Sequence, residues 1–90
     1  MAAETPSGKK KILIIEDEKP LAHALELKMT HEGYETAVAS TGREGLEKAT
    51  TGNFDLILLD LILPEVDGFA ILEGIKAKNL KPIVIVLSNL

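Results

Sequence analysis

The 90-residue sequence contains no cysteine, and aromatic residues make up only 3% of it. The absence of cysteine excludes disulfide bonds and cysteine-ligated metal sites. With so few aromatic side chains, a core has to be built from aliphatic residues. The hydrophobic fraction of 46% is typical of a folded chain rather than a disordered one, and the length has room for one domain.

The sequence also lacks an excess of positive charge and a long apolar run. The net charge of −4 argues against a nucleic-acid surface, which needs clustered Lys and Arg. The basic run Lys9–Lys11 is best explained as a solvated flank before a buried strand. No apolar run approaches the roughly 18 residues of a membrane span, and residues 1–8 do not resemble a signal peptide. We therefore expect a soluble cytoplasmic protein that binds neither nucleic acid nor a membrane.

The apolar pattern divides the chain into a flexible tail, residues 1–10, and one domain, residues 11–90. Residues 12–15, 56–59 and 83–87 are apolar without alternation, which is typical of strands covered on both faces. Residues 35–39 alternate polar and apolar, as a shorter edge strand would. Helical segments separate these strands, so the order βαβαβαβ predicts an α/β fold with a parallel sheet and right-handed crossovers.

The helix boundaries carry recognisable signals. Pro20 fits the first turn of the first helix, and Gly33 provides a left-handed stop. Ser40 or Thr41 can cap the second helix, to about residue 50, and Asp67 can cap the third, at about residues 68–78. The side chains predicted to face the core are Leu21, Ala24, Leu25 and Met29 in the first helix and Phe69, Leu72 and Ile75 in the third.

Acidic residues follow two of the buried strands. Glu16 and Asp17 come directly after the first strand, and Asp60 ends the third. If those strands are neighbours, as in the order 2-1-3-4, the three carboxylates converge at one edge of the sheet. Their mutual repulsion favours a bound cation, and oxygen ligands suit Mg²⁺. The alternative for Glu16–Glu18 is ordinary helix N-terminal chemistry, whereas Asp60 at the end of an aliphatic strand needs a partner or a function.

Three motifs together resemble the receiver domain of response regulators. They are the acidic pair in Ile14–Glu18, the segment Leu58–Gly68 around Asp60, and the strand Pro82–Ser88 with its final hydroxyl residue. In this segment Leu63 stands where Met is commoner. The resemblance runs from about residue 11 to the last residue and implies a flavodoxin-like doubly wound sheet.

The resemblance also implies roles for individual residues. Asp60 would accept a phosphoryl group from a sensor histidine kinase, a phosphotransfer protein or a small phosphodonor. Glu16, Asp17, Asp60 and the backbone carbonyl of Ile62 would hold Mg²⁺. Ser88 would hydrogen-bond the arriving phosphoryl group. Such a domain catalyses its own phosphorylation and dephosphorylation but is not a turnover enzyme.

The resemblance implies that the last helix, strand and helix of the family fold are missing here, together with a phosphoryl-pairing Lys. The fourth strand, apolar on both faces, would then lie at the edge of the sheet, and an unpaired apolar edge is a template for another strand. We therefore expect a homo-oligomer, or a complex with a separate fragment, formed through this strand.

Two alternatives to a signalling receiver remain open. One is a structural or oligomerisation module that retains the scaffold without switching. The other is an aspartyl phosphohydrolase of the haloacid-dehalogenase type, which needs a second Asp two residues after the first. Ile62 occupies that position, which argues against a phosphohydrolase.

Overall fold

The computed structural model of the chain describes residues 9–61, 63 and 66–87. Its strands form one parallel sheet, in which the first strand of the chain lies between the second and the third and the fourth lies beyond the third. This confirms the predicted α/β fold and the strand order 2-1-3-4. No helix in these described residues is long and apolar enough to cross a membrane. The elements are β1 Lys11–Ile15, α1 Lys19–His31, β2 Glu35–Ala39, α2 Gly42–Thr51, β3 Leu56–Leu59, α3 Gly68–Ala77 and β4 Ile83–Val86.

The two central strands are apolar throughout because helices cover both faces of the sheet. One face packs against α2 and α3, and the core between them contains the buried residues Leu13, Ile15, Ala39, Ala49, Ile57, Leu59, Leu63, Ile71 and Ile75. The other face buries Ile12, Ile14 and Leu58, with Leu25 and Met29 of α1 packed against them. The larger part of the buried core therefore lies between the sheet and helices α2 and α3.

The sheet-facing side of α1 differs from the prediction. Leu25 and Met29 do pack against the sheet, but Leu21 and Ala24 are exposed and Ala22 is the buried residue. At about 100° of rotation per residue, Ala22, Leu25 and Met29 share one face, while Leu21 and Ala24 both lie beyond Leu25 on one side of it. The apolar periodicity of α1 is compatible with a buried face that includes either Leu21 and Ala24 or Ala22. Packing against the sheet selects the face with Ala22.

The core-facing side of α3 also differs at one position. Ile75 is buried and Leu72 half-buried as predicted, but Phe69 is 60% exposed and Ile71 is fully buried. The reason lies at the start of the helix, where Gly68 packs closely against Leu61. With Gly68 turned inward, the next residue along the helix points outward.

Both predicted N-caps of α2 and α3 are present in the structure. Thr41 caps α2, since its hydroxyl oxygen accepts a 3.1 Å hydrogen bond from the Glu44 amide, and the Glu44 carboxylate in turn accepts one from the Ser40 amide at 3.1 Å. Asp67 caps α3 by accepting a 3.0 Å bond from the Ala70 amide. The two caps fix the starts of the helices beside the carboxyl ends of the strands.

β4 is an edge strand of unusual composition. Within the described residues it pairs with β3 alone, and its residues Ile83, Ile85 and Val86 are 67%, 47% and 46% exposed. Natural edge strands are commonly protected by charges, proline or a covering element. This strand presents four consecutive aliphatic residues instead.

Candidate functional site

The site lies where β1 and β3 end, side by side. Ile15 is in register with Leu59, so Glu16 and Asp60 are the next residues on adjacent strands. The Asp60 amide donates to the Ile15 carbonyl at 3.0 Å, and the Glu16 amide donates to the Ala39 carbonyl at 3.0 Å. Sheet-type hydrogen bonds therefore continue past the strand ends and fix the backbone of both acidic residues.

The structure brings together the three carboxylates that the sequence singled out. One carboxylate oxygen from each of Glu16, Asp17 and Asp60 lies within 4.8 Å of the other two. Glu16 is buried, Asp60 is half-buried and Asp17 is exposed. The cluster is thus buried at Glu16 and open to solvent at Asp17. This arrangement suits a bound ion that a reactive group can approach from solvent.

Burial raises the pKa of Glu16 from its ordinary value of 4.5 to about 7. The negative charges of Asp60 and Asp17 and a hydrogen bond with the Asp60 carboxyl act in the same direction. A 3.2 Å hydrogen bond from the Glu18 amide opposes them by stabilising the Glu16 carboxylate. Concentrated negative charge with little solvation is the condition that a cation relieves.

Leu61, directly after Asp60, is bonded to Gly68 at the start of α3. The Gly68 amide donates to the Leu61 carbonyl at 3.0 Å, and Leu63 is buried in the core. Ile62, predicted as a metal ligand through its carbonyl, lies outside the described residues. So does Ser88, although the Leu87 amide bonds the Leu59 carbonyl at 2.8 Å and so aligns the end of β4 with that of β3.

Sequence reasoning missed one contact beside this site. Gly42, the first residue of α2, lies directly against the backbone of Val66 in the segment between β3 and α3. Glycine is a poor helix former, so its presence just after the Thr41 cap was the available signal of a close approach. The pattern alone did not reveal which segment approaches it.

The fold and this acidic cluster define the class of the protein. The family model for the response regulator receiver domain matches residues 12–90, and the chain belongs to that family. Among curated proteins, response regulator ArlR of Staphylococcus saprophyticus is 46% identical over 79 residues, which are 88% of this chain and 36% of ArlR. The chain therefore spans about a third of the length of such relatives.

Solved receiver structures agree with this assignment. The Francisella response regulator 1452 receiver domain is 34% identical, with a TM-score of 0.85, and the match covers 91% of this chain and 68% of that one. Response regulator TrrA of Thermotoga maritima, solved in complex with Mg²⁺ and BeF, is also 34% identical, with a TM-score of 0.81. That match covers 88% of this chain and 69% of TrrA.

Proposed function

We propose that this chain is a phospho-accepting receiver module of a two-component signalling system, with Asp60 as the acceptor. The observation that carries the proposal is the convergence of Glu16, Asp17 and Asp60 within 4.8 Å at the carboxyl edge of a receiver sheet. The phosphodonor would be a sensor histidine kinase or a phosphotransfer protein, as the family membership suggests.

The chemistry required of Asp60 is nucleophilic attack on phosphorus. A carboxylate oxygen forms the new O–P bond while the P–N bond to the donor histidine breaks, and the leaving imidazole nitrogen keeps the bonding electron pair. The product is an acyl phosphate on Asp60. Water later cleaves this acyl phosphate and regenerates the carboxylate, so the reaction resets the module without turning over a free metabolite.

The donor set fits Mg²⁺, because all three side chains offer hard carboxylate oxygens and Mg²⁺ prefers few carboxylates with several retained waters. Glu16, Asp17 and Asp60 would hold it, together with the carbonyl of Ile62. When bound, the ion would neutralise charge on the transferring phosphoryl oxygens. Ser88 is the proposed hydrogen-bond partner of the phosphoryl group once it is on Asp60.

Intact-mass measurement after incubation with Mg²⁺ and acetyl phosphate tests the acceptor. The wild-type chain should gain one phosphoryl group and Asp60→Asn should gain none. Asp67→Asn is a matched control, because it makes the same chemical change nearby and asparagine retains the N-cap. Absence of labelling in the wild type, under conditions that label another receiver domain, would overturn the proposal.

A second candidate function is a structural module that assembles through β4, and the exposure of its aliphatic side chains supports it. The amides of Ile83 and Leu87 donate to the carbonyls of Asp55, just before β3, and Leu59. By the alternation of a parallel ladder, the backbone N–H and C=O groups of Val84 and Val86 therefore point away from β3.

The occupant that fits this edge best is a second copy in antiparallel orientation. Such pairing would bring the basic amino edge of one sheet, with Lys81, towards the acidic carboxyl edge of the other, with Asp60. A separate fragment that pairs with the same edge is the alternative outcome of the association experiment described below.

A further inference from the structure

Gly42 lies against the segment between β3 and α3 with no room for a side chain. A β-carbon placed on Gly42 would overlap the carbonyl oxygen of Val66, lie 2.6 Å from its carbonyl carbon and 3.0 Å from its β-carbon. Contacts below about 3.0 Å require something to shift, and here the neighbour is backbone rather than the end of a flexible side chain. The start of α2 therefore limits how far Val66 can move inward.

A second close approach lies at Gly68, two residues after Val66. A β-carbon on Gly68 would lie 2.5 Å from the Leu61 α-carbon and 3.0 Å from the Asp60 carbonyl oxygen. The Gly68 amide also donates to the Leu61 carbonyl. Gly68 thus holds the backbone of Leu61 and Asp60, and Gly42 supports Val66, two residues before Gly68.

The start of α2 is itself fixed relative to the acidic cluster. The Ala39 carbonyl at the end of β2 accepts the Glu16 amide at 3.0 Å, and only Ser40 and the capping residue Thr41 separate Ala39 from Gly42. A short, hydrogen-bonded path therefore connects the backbone of Glu16 to the residue that supports Val66. The position of Gly42 is therefore fixed relative to the backbone of Glu16.

We propose that Gly42 is a positioning residue for the metal and phosphoryl site, acting through the backbone of Val66. The inference rests on the proposed function above. Val66 lies two residues before Gly68, and Gly68 lies against the backbone of Leu61 and Asp60, so a displacement of Val66 is transmitted to the proposed acceptor. Mg²⁺ demands nearly ideal octahedral geometry at about 2.0–2.1 Å, so a shift of Asp60 costs affinity even when all three carboxylates are present. Gly42 touches neither the ion nor the phosphoryl group.

The test compares Gly42→Ala with Gly52→Ala in the whole chain. A β-carbon on Gly52 would lie 2.6 Å from the Phe54 ring and 3.0 Å from the Lys48 carbonyl oxygen, so both variants are crowded, but Gly52 lies at the opposite end of α2. Calorimetry measures Mg²⁺ affinity, intact mass measures the labelling rate with acetyl phosphate, and a urea titration measures stability.

We expect Gly42→Ala to weaken Mg²⁺ binding by roughly 10–100-fold, the range found when groups supporting metal ligands are changed. Gly52→Ala should keep the wild-type affinity whatever its stability. Equal Mg²⁺ affinity in Gly42→Ala and wild type would overturn the inference, as would equal losses in both variants. A wild type that binds no Mg²⁺ and takes no phosphoryl group would refute the proposed function itself.

A second variant covers the case in which Gly42→Ala does not fold. Val66→Gly adds no atom and frees the backbone of the supported segment, so it should also weaken Mg²⁺ binding while the chain stays folded. Unchanged Mg²⁺ affinity in a folded Val66→Gly chain would contradict the positioning role.

Discussion

The amide of Asp60 donates a 3.0 Å hydrogen bond to the carbonyl of Ile15, so the proposed acceptor is bonded directly to the end of the strand that Glu16 follows. The separation of the two carboxyl groups is consequently set by sheet register rather than by loop conformation. The sheet holds the carboxylates of Glu16 and Asp60 close together, and their mutual repulsion is unfavourable when no cation is bound. This arrangement has a measurable effect on stability.

Stability should depend on pH through Glu16, whose pKa is raised from 4.5 to about 7 in the folded state. Below pH 4.5 the group is protonated in both states. Between 4.5 and 7 the unfolded chain releases the proton while the folded chain retains it, so stability falls as pH rises, and above 7 the loss is constant. Urea titrations of wild type and Glu16→Gln from pH 4 to 8 should show the wild type losing stability relative to the variant across that window.

Mg²⁺ provides the control for this pH effect. At pH 8 the ion should stabilise the wild type, because it binds the folded state preferentially, and should stabilise Glu16→Gln much less. A stability difference between wild type and variant that does not change from pH 4 to 8 would contradict the raised pKa of Glu16.

Removing one carboxylate should weaken Mg²⁺ binding. We expect Asp17→Asn to lower the affinity at least about tenfold, since even changes to groups behind metal ligands cost 10–100-fold. Glu18→Gln is a matched control, because it removes the same charge one residue away and outside the cluster. Calorimetric titration measures both variants, and equal losses would mean that only general electrostatic attraction is at work.

The core between the sheet and α3 should be sensitive to truncation. Ile71 is fully buried, and Ile71→Ala should lower the free energy of unfolding by about 2–5 kcal/mol. Leu27, 58% exposed on α1, is the control, and Leu27→Ala should change stability by no more than about 0.5 kcal/mol. Urea denaturation distinguishes them, and similar effects would show that α3 does not pack as described.

Association through β4 should depend on its outward edge. We expect the wild type to self-associate in a concentration series followed by light scattering, and Val86→Lys to remain monomeric, because charge on an edge strand blocks pairing. Phe69→Lys changes another exposed apolar residue, on α3 rather than on a strand, and should still associate. A compact wild-type monomer that unfolds cooperatively would refute the association.

The sequence was sufficient for the element order and for the meeting of the carboxylates, because strand runs and helix caps are local signals and parallel strand ends meet at one edge. It was insufficient where contacts between distant segments determine which side chains are buried. Leu21 and Phe69 fit a helical stripe but lie outside the face that contacts the sheet. The support of Val66 by Gly42 depends on two segments far apart in sequence, which no local pattern links.

The join between β1 and α1 has a consequence for local unfolding. Residues Ile12–Ile15 are fully buried, whereas Ala22 is the only residue of α1 that is buried. Regions with few buried contacts open more readily than the core, so α1 should exchange its amide hydrogens well before β1. Glu16 should exchange slowly with β1, whereas Asp17 is the first residue of the region that should exchange rapidly with α1. The cluster can therefore lose one of its three carboxylates through opening of a single helix while the sheet remains intact.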